Sequence, residues 1–184
     1  CANNMNNKQD IHILVVDDIE ANRDLFSRHL QRVGYQVALA TGGVQALEMV
    51  ASTPFDLILL DIMMPEMDGF TVLETLRKHY SASQLPVIII SAIYDSKEIV
   101  KALVLGANDY ITKPFDRKMM LSRVSIQLES ASLYKQLYLS EERYTLAFIA
   151  SNNGLWDWDI DKGTIFFSDR WREMMDFTSD MVLD

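Results

Sequence analysis

The segment DLILLDIMMPEMDG (residues 56–69) decides the fold class, because it places an acidic residue directly after an apolar run. Leu57–Leu60 are continuously apolar, which is typical of a strand covered on both faces, as in a parallel sheet. Asp61 therefore lies close to a core, with no obvious partner nearby in the sequence. The same order, an apolar run followed by a helix-period stretch, recurs along the chain.

Five apolar runs alternate with five helical segments. The predicted strands are Ile11–Val16, Tyr35–Ala40, Asp56–Leu60, Val87–Ile90 and Asp109–Thr112, and the predicted helices are Glu20–Val33, Val44–Ser52, Gly69–Tyr80, Ser96–Leu105 and one starting near Asp116. Gly34 and Gly106 are predicted to follow two of these helices as C′ residues. This alternation predicts a doubly wound α/β domain, in which chemistry takes place at the carboxyl ends of the strands.

Composition excludes several classes of protein. With 49% apolar residues among 184, the chain can bury a core, and its net charge of −9 argues against contacts with nucleic acid or anionic lipid. No apolar run is long enough to cross a bilayer, and the single cysteine, Cys1, cannot form an intramolecular disulfide. We therefore expect a cytoplasmic protein with no membrane span and no nucleic acid bound to this segment.

Polar side chains end four of the predicted strands. Asp17 and Asp18 follow the first strand, Asp61 the third, Ser91 the fourth and Lys113 the fifth. Neighbouring strand ends lie about 5 Å apart, so these side chains should converge. Clustered carboxylates favour a hard cation such as Mg²⁺, while a hydroxyl and an ammonium group suit phosphoryl oxygens. The set predicts a phosphoryl-transfer site with a carboxylate nucleophile.

Four motifs carry a family resemblance, namely VVDD (15–18), LLDIMMPEMDG (59–69), IIISA (88–92) and DYITKPF (109–115). In order and spacing they resemble the receiver domain of two-component response regulators, over about residues 11–130. The resemblance implies a flavodoxin-like fold with a five-stranded parallel sheet of order 2-1-3-4-5. It also implies a cis peptide bond between Lys113 and Pro114.

The resemblance implies roles for the acidic residues. Asp61 is expected to be the phosphoacceptor, which takes its phosphoryl group from a histidine kinase or a phosphotransfer protein. Asp17, Asp18 and Asp61 are expected to bind Mg²⁺ as the cofactor, together with the main-chain carbonyl of Met63. No separate catalytic domain is expected in the chain, so any enzymatic activity would be self-phosphorylation and self-dephosphorylation.

Further roles follow for the other strand ends. Ser91 and Lys113 are expected to bind phosphoryl oxygens, and Tyr110 to be an aromatic switch that turns inward on phosphorylation. Met63 and Ile93, each two residues beyond a site residue, are apolar where fast-hydrolysing receivers often carry polar groups. This suggests the hypothesis of a slowly hydrolysing aspartyl phosphate, although both residues could equally serve packing.

The receiver is flanked by other segments. Residues 1–10 are predicted to be a disordered leader, and residues 131–150 a helical linker that continues the fifth helix. The stretch Asp116–Ile149 contains no proline and no glycine. It predicts either a helix with a coiled-coil seam or a surface helix packed on its own domain. A homodimer is expected through this helix or through the receiver face near Tyr110.

Residues 151–184 have a different sequence pattern from the helical stretch before them. Two short strands, Leu155–Ile160 and Thr164–Phe167, precede a short helix, Asp169–Met175, and the segment resembles the opening of an α+β PAS domain. Trp156, Trp158 and Trp171 are interpreted as core aromatics of that N-terminal fragment.

We therefore expect a receiver that relays phosphorylation of Asp61 through a helix to PAS and output domains, the output being a cyclic-di-GMP enzyme or a histidine kinase outside this chain. The main alternative is a phosphate-independent docking or dimerisation module attached to a PAS sensor. A phosphatase with an aspartate nucleophile is disfavoured, because Met63 stands where such sites carry a second acid.

Overall fold

The structure, a computed structural model, describes residues 8–92, 95–151 and 153–176, apart from the side chains of Gln9 and Ile149. Contacts divide the chain into two compact units, Cys1–Lys135 and Gln136–Asp184. Within the predicted leader, residues 1–7 lie outside the described residues, whereas Lys8–Asp10 form a 3₁₀ turn that differs from the prediction. The Lys8 ammonium lies 5.5 Å from the centre of the Tyr35 ring, a cation–π contact that helps to order this turn.

The first unit contains a five-stranded parallel sheet. Its strands are β1 (His12–Val16), β2 (Gln36–Ala40), β3 (Leu57–Asp61), β4 (Val87–Ser91) and β5 (Asp109–Thr112). They lie in the order β2-β1-β3-β4-β5, so the predicted doubly wound sheet and its strand order are confirmed. The parallel register pairs Val16 with Leu60, which brings the ends of β1 and β3 side by side.

Five helices cover both faces of this sheet. They are α1 (Glu20–Gln31), α2 (Gly43–Ser52), α3 (Gly69–Arg77), α4 (Ser96–Val104) and α5 (Arg117–Ser151). Alternate strand residues such as Leu14 and Leu60 face α2, α3 and α4, whereas their neighbours Val15 and Leu59 face α1 and the start of α5. Continuous apolar strands are needed because both faces of the sheet are buried.

The half-buried guanidinium of Arg77 holds the loop after α3 in place. The sequence predicted a helix to Tyr80, but α3 ends at Arg77. The Arg77 side chain donates to the carbonyls of Gly106 and Leu85, at 2.8 and 3.0 Å, and to Asn108 Oδ1 at 3.1 Å. Gly106 has φ +97°, as expected of a C′ glycine, and a Cβ there would lie 3.0 Å from the Arg77 side chain.

Helix α5 is 35 residues long, as the uninterrupted stretch predicted. Asp116 caps it, because its Oδ1 accepts the N–H groups of Lys118 and Met119 at 2.8 and 3.0 Å. Near its start, Met120 and Val124 are fully buried against the sheet. Apolar side chains farther along are exposed, namely Leu133, Tyr134, Leu137, Tyr138, Leu139, Tyr144 and Leu146. Among the described residues, no helix has the length and hydrophobicity to cross a membrane.

The second unit contains a small antiparallel sheet and a short helix. Strands β6 (Trp156–Asp159) and β7 (Thr164–Phe167) pair, and helix α6 (Asp169–Met174) follows, while residues 177–184 of the predicted fragment lie outside the described residues. The Trp171 ring stacks on Phe167 with centroids 4.2 Å apart. Trp156 and Trp158 are 57% and 53% exposed, so among the described residues they are not the core aromatics they were interpreted to be, because no described residue forms a second layer over that face of the two-stranded sheet.

Candidate functional site

The strand ends bring together three of the predicted site residues. Asp17 follows β1, Asp61 ends β3 and Lys113 follows β5. The Lys113 ammonium donates to Asp61 Oδ1 at 2.7 Å and to Asp17 Oδ2 at 2.8 Å. The bond between Lys113 and Pro114 is cis, as the resemblance implied. One ammonium group therefore bridges two carboxylates at the carboxyl edge of the sheet.

Burial and charge act in opposite directions on these groups. Asp17 and Asp61 are 1% and 5% exposed. Burial raises the pKa of the Asp61 carboxyl, while the Lys113 ammonium and the Met63 N–H group oppose that rise. Burial alone would lower the pKa of Lys113, but the hydrogen bonds and charges of the two carboxylates outweigh it and raise that pKa. The arrangement keeps the lysine charged beside Asp61.

Helix α1 holds Asp17 in place through two residues that sequence reasoning missed. Asn22 Nδ2 lies 3.0 Å from both carboxylate oxygens of Asp17, and Arg23 donates to its main-chain carbonyl. The N–H of Ile19 donates to Asp17 Oδ1 at 2.9 Å. Their positions in the sequence could have indicated them, because polar residues in the first turn of the helix that follows a strand lie close to the end of that strand.

Asp18 and Met63 stand at the mouth of the site. Asp18 is exposed, and the Met63 N–H donates to Asp61 Oδ2 at 3.0 Å while its side chain is 65% exposed. Both residues line an open cavity of about 640 Å³ that also includes Phe70 and Lys101. The Lys101 ammonium lies 3.9 Å from the Phe70 ring centre, so α4 contacts the start of α3 here.

Ser91 and Tyr110 lie on the neighbouring strands β4 and β5 and contact each other. Ser91 is fully buried at the end of β4, and its side chain hydrogen-bonds with that of Tyr110. Burial raises the pKa of the Tyr110 phenol, and the Ser91 hydrogen bond partly opposes this. The Tyr110 ring is only 8% exposed, so it already points inward, whereas the sequence led us to expect an inward turn on phosphorylation. Ile93, predicted to flank the phosphoryl group, lies outside the described residues.

Gly69 is a site residue for a steric reason. A Cβ at this position would collide with the main-chain carbonyl of Asp61, and the Gly69 N–H donates to the carbonyl of Ile62 at 3.0 Å. Asp68 caps α3 by accepting the Thr71 N–H at 2.8 Å, which lowers the pKa of Asp68. The start of α3 therefore lies directly against the backbone of Asp61.

The donor set suits a cation that keeps part of its water shell. Among the described residues, no three acidic, histidine or cysteine side chains form a ready cage for a metal. Mg²⁺ characteristically takes one or two carboxylates and retains several waters, so it does not need such a cage. An exposed Asp18 beside the buried Asp61 matches that chemistry.

Comparisons with known proteins agree with this geometry. The model of the response regulator receiver domain matches residues 13–125. Response regulator PleD of Caulobacter vibrioides is 45% identical over 112 residues, covering 61% of this chain and 25% of PleD. The DNA-binding transcriptional regulator RpaA of Synechocystis sp. is 39% identical over 112 residues, covering 61% of this chain and 46% of RpaA. The chain thus spans less than half the length of these two curated relatives.

A solved structure shares the fold. It is the structure of a "probable two-component system response regulator/GGDEF domain protein", with TM-score 0.66 and 35% identity, covering 68% of this chain and 52% of that one. The match to the receiver model extends from β1 into α5 and includes the residues around the Lys113 bridge. The chain therefore belongs to the response regulator receiver domain family.

Proposed function

We propose that the first unit is a phosphoacceptor in which Asp61 takes a phosphoryl group from a phosphohistidine of a histidine kinase or phosphotransfer protein. The observation that supports this proposal most directly is the ammonium of Lys113, 2.7 Å from Asp61 and 2.8 Å from Asp17. A buried carboxylate beside a fixed cation can act as a nucleophile and keep its anionic product paired.

The proposed step is an in-line transfer. An oxygen of Asp61 attacks phosphorus, an O–P bond forms, and the N–P bond to the imidazole breaks with its electron pair returning to nitrogen. Lys113 then pairs with a phosphoryl oxygen in place of the carboxylate oxygen it holds here. When bound, Mg²⁺ would offset the repulsion between carboxylate and phosphoryl group, and Asp17, Asp18, Asp61 and the Met63 carbonyl would hold it.

Ser91 connects this chemistry to Tyr110. Because the buried Ser91 side chain already bonds with Tyr110, a phosphoryl oxygen would compete for the same hydroxyl. The switch would then be an exchange of hydrogen-bond partners, and the position of the tyrosine would follow that exchange. The face near Tyr110, which includes α4 and β5, would repack as a result.

Helix α5 is the proposed route to the second unit, which we propose is the opening of a PAS domain. The antiparallel β6–β7 pair followed by α6 agrees with such an opening. A GGDEF domain accompanies the receiver in one solved relative, which favours a cyclic-di-GMP enzyme as the output over a histidine kinase. Either output would lie in a longer protein.

A second copy of this chain is the proposed partner of α5. Leu137 is 59% exposed and lies among the exposed apolar side chains of the helix, which a parallel or antiparallel copy would cover. Sedimentation over a range of concentrations should show a dimer that Leu137→Glu abolishes and that the adjacent Gln136→Glu preserves. A dimer unaffected by Leu137→Glu would instead place the contact on the receiver face near Tyr110.

The direct test is labelling. The protein is incubated with Mg²⁺ and a small acyl phosphate, and its intact mass is measured beside that of Asp61→Ala. One added phosphoryl group in the parent, absent from the variant, is the expected result. No adduct, under conditions that label another receiver, would favour the phosphate-independent docking module.

A further inference from the structure

We propose that Asn22 is a positioning residue for the phosphoryl-transfer site, which holds the Asp17 carboxylate in the orientation that binds Lys113. The inference rests on the proposed function, because Asn22 would act through that site. It concerns a residue of α1 that carries no charge and that none of the four sequence motifs includes.

Three donor groups surround the Asp17 carboxylate. Its Oδ1 accepts from the Ile19 N–H at 2.9 Å, and its Oδ2 accepts from Lys113 Nζ at 2.8 Å. Asn22 Nδ2 lies 3.0 Å from both oxygens, so its amide is shared between them. A carboxylate offers about four acceptor positions, so Asp17 keeps capacity for the cation proposed above. Asn22 and Ile19 together fix the carboxylate in the orientation that binds Lys113.

The amide is the side chain that suits this position. A neutral donor satisfies the buried carboxylate without cancelling its charge, so Lys113 keeps an anionic partner on both sides. A cationic residue at position 22 would compete with Lys113 for Asp17, and an acidic residue would add a fourth carboxylate to the cluster. Asparagine avoids both effects.

The placement of Asn22 depends on the start of α1. Asn22 donates to the carboxylate of Asp17, and Arg23 Nη1 donates to the main-chain carbonyl of Asp17 at 2.6 Å. Because both residues belong to the first turn of α1, the orientation of Asp17 is set by that turn. The orientation of Asp17 in turn fixes the position of the Lys113 ammonium, which also donates to Asp61.

The test is a double-mutant cycle between Asn22→Leu and Asp17→Ala in the full chain. Groups that orient the ligands of such sites typically contribute about 10- to 100-fold in activity. Asn22→Leu should therefore lower the labelling rate at saturating Mg²⁺ by roughly tenfold or more. In the Asp17→Ala background the same change should matter less than about twofold, since the group it positions is absent. Gln31→Leu, an amide-to-leucine change at the exposed end of α1, is the matched control and should not alter the rate.

A second readout does not depend on labelling. In Mg²⁺-free buffer, Asn22→Leu should lower the midpoint of thermal unfolding in the parent, because the buried Asp17 loses the hydrogen bond that its two oxygens share from Asn22. It should leave the midpoint of Asp17→Ala unchanged. Equal effects of Asn22→Leu in both backgrounds, on rate and on midpoint, would overturn the proposal. Failure of the parent to label would contradict the proposed function, and the unfolding cycle would still decide whether Asn22 acts through Asp17.

Discussion

Lys113 reaches across the end of β4 to place its ammonium 2.7 Å from Asp61 Oδ1. The lysine side chain is 21% exposed and that of the aspartate 6%, so the pair is largely removed from water. The same ammonium lies 2.8 Å from Asp17 Oδ2, so Asp61 shares its cation with a second carboxylate. Two negative charges beside one positive charge leave a net negative charge at this edge of the sheet.

The first prediction concerns the cost of ionising Asp61. Its pKa in the folded protein is raised above the ordinary value of 3.8, so the folded state binds the proton more tightly than the unfolded chain does. Stability is therefore lost as the pH rises from about 3.8 through the folded pKa. In Mg²⁺-free buffer at pH 7, Asp61→Asn should therefore raise the free energy of unfolding.

Urea unfolding at several pH values checks this. The gain should shrink toward zero as the pH falls below 3.8, and Glu74→Gln, at an exposed carboxylate, should show no such gain. An Asp61→Asn protein less stable than the parent at pH 7 would mean that Lys113 fully compensates for the burial of the carboxylate.

The second prediction concerns the bridge. Lys113→Met leaves two buried carboxylates without their shared cation, which should lower the free energy of unfolding by about 3 kcal/mol in Mg²⁺-free buffer at neutral pH. Lys78→Met, at an exposed lysine after α3, should change it by less than about 0.5 kcal/mol. Equal effects of the two substitutions, measured by urea unfolding, would show that the bridge adds nothing.

The third prediction concerns the close approach of α3 to the backbone of Asp61. Gly69→Ala forces a Cβ against the Asp61 carbonyl, so it should cost about 1 to 3 kcal/mol and slow labelling of Asp61. Gly42→Ala is the control, because a Cβ there meets nothing within 4 Å, and its cost should stay within about 1 kcal/mol. Thermal unfolding and labelling rates of both variants decide this, and normal labelling of Gly69→Ala would contradict the prediction.

The fourth prediction concerns the lifetime of the phosphoryl group. Met63 is next to the site, 65% exposed and apolar, so it offers no hydrogen bond that would orient a water. Met63→Asn should shorten the half-life of the aspartyl phosphate by about tenfold, because a polar side chain there can position the attacking water. Met175→Asn, at a comparably exposed methionine in the second unit, should leave it unchanged. A half-life of seconds in the parent would contradict the hypothesis of slow hydrolysis.

Much of the fold could be predicted because it depends on local patterns. Continuous apolar runs predicted each strand to within one residue at either end, and Gly34 and Gly106 marked helix ends through their positive φ angles. The convergence of Asp17, Asp61 and Lys113 also followed, since parallel strands all end at one edge.

What the sequence did not predict depends on how the helices, strands and loops pack against one another. Arg77 reads as a solvated helix residue, yet its guanidinium joins the loop after α3 to Gly106 and Asn108. Asn22 looks like any polar residue of an amphipathic helix until α1 is placed beside Asp17. Trp156 and Trp158 read as core residues, because aromatic composition does not reveal whether a second layer is present to cover them.

The most direct measurement is to locate the phosphoryl group within the labelled protein. Borohydride reduces an acyl phosphate to an alcohol, and peptide mapping by mass spectrometry then identifies the residue that carried it. We expect Asp61 to be the one reduced residue. Its labelling should depend on Mg²⁺ and should be slower in Asn22→Leu. Reduction at Asp17 or Asp18, or a stable adduct on any other residue, would contradict the proposal that Asp61 is the phosphoacceptor.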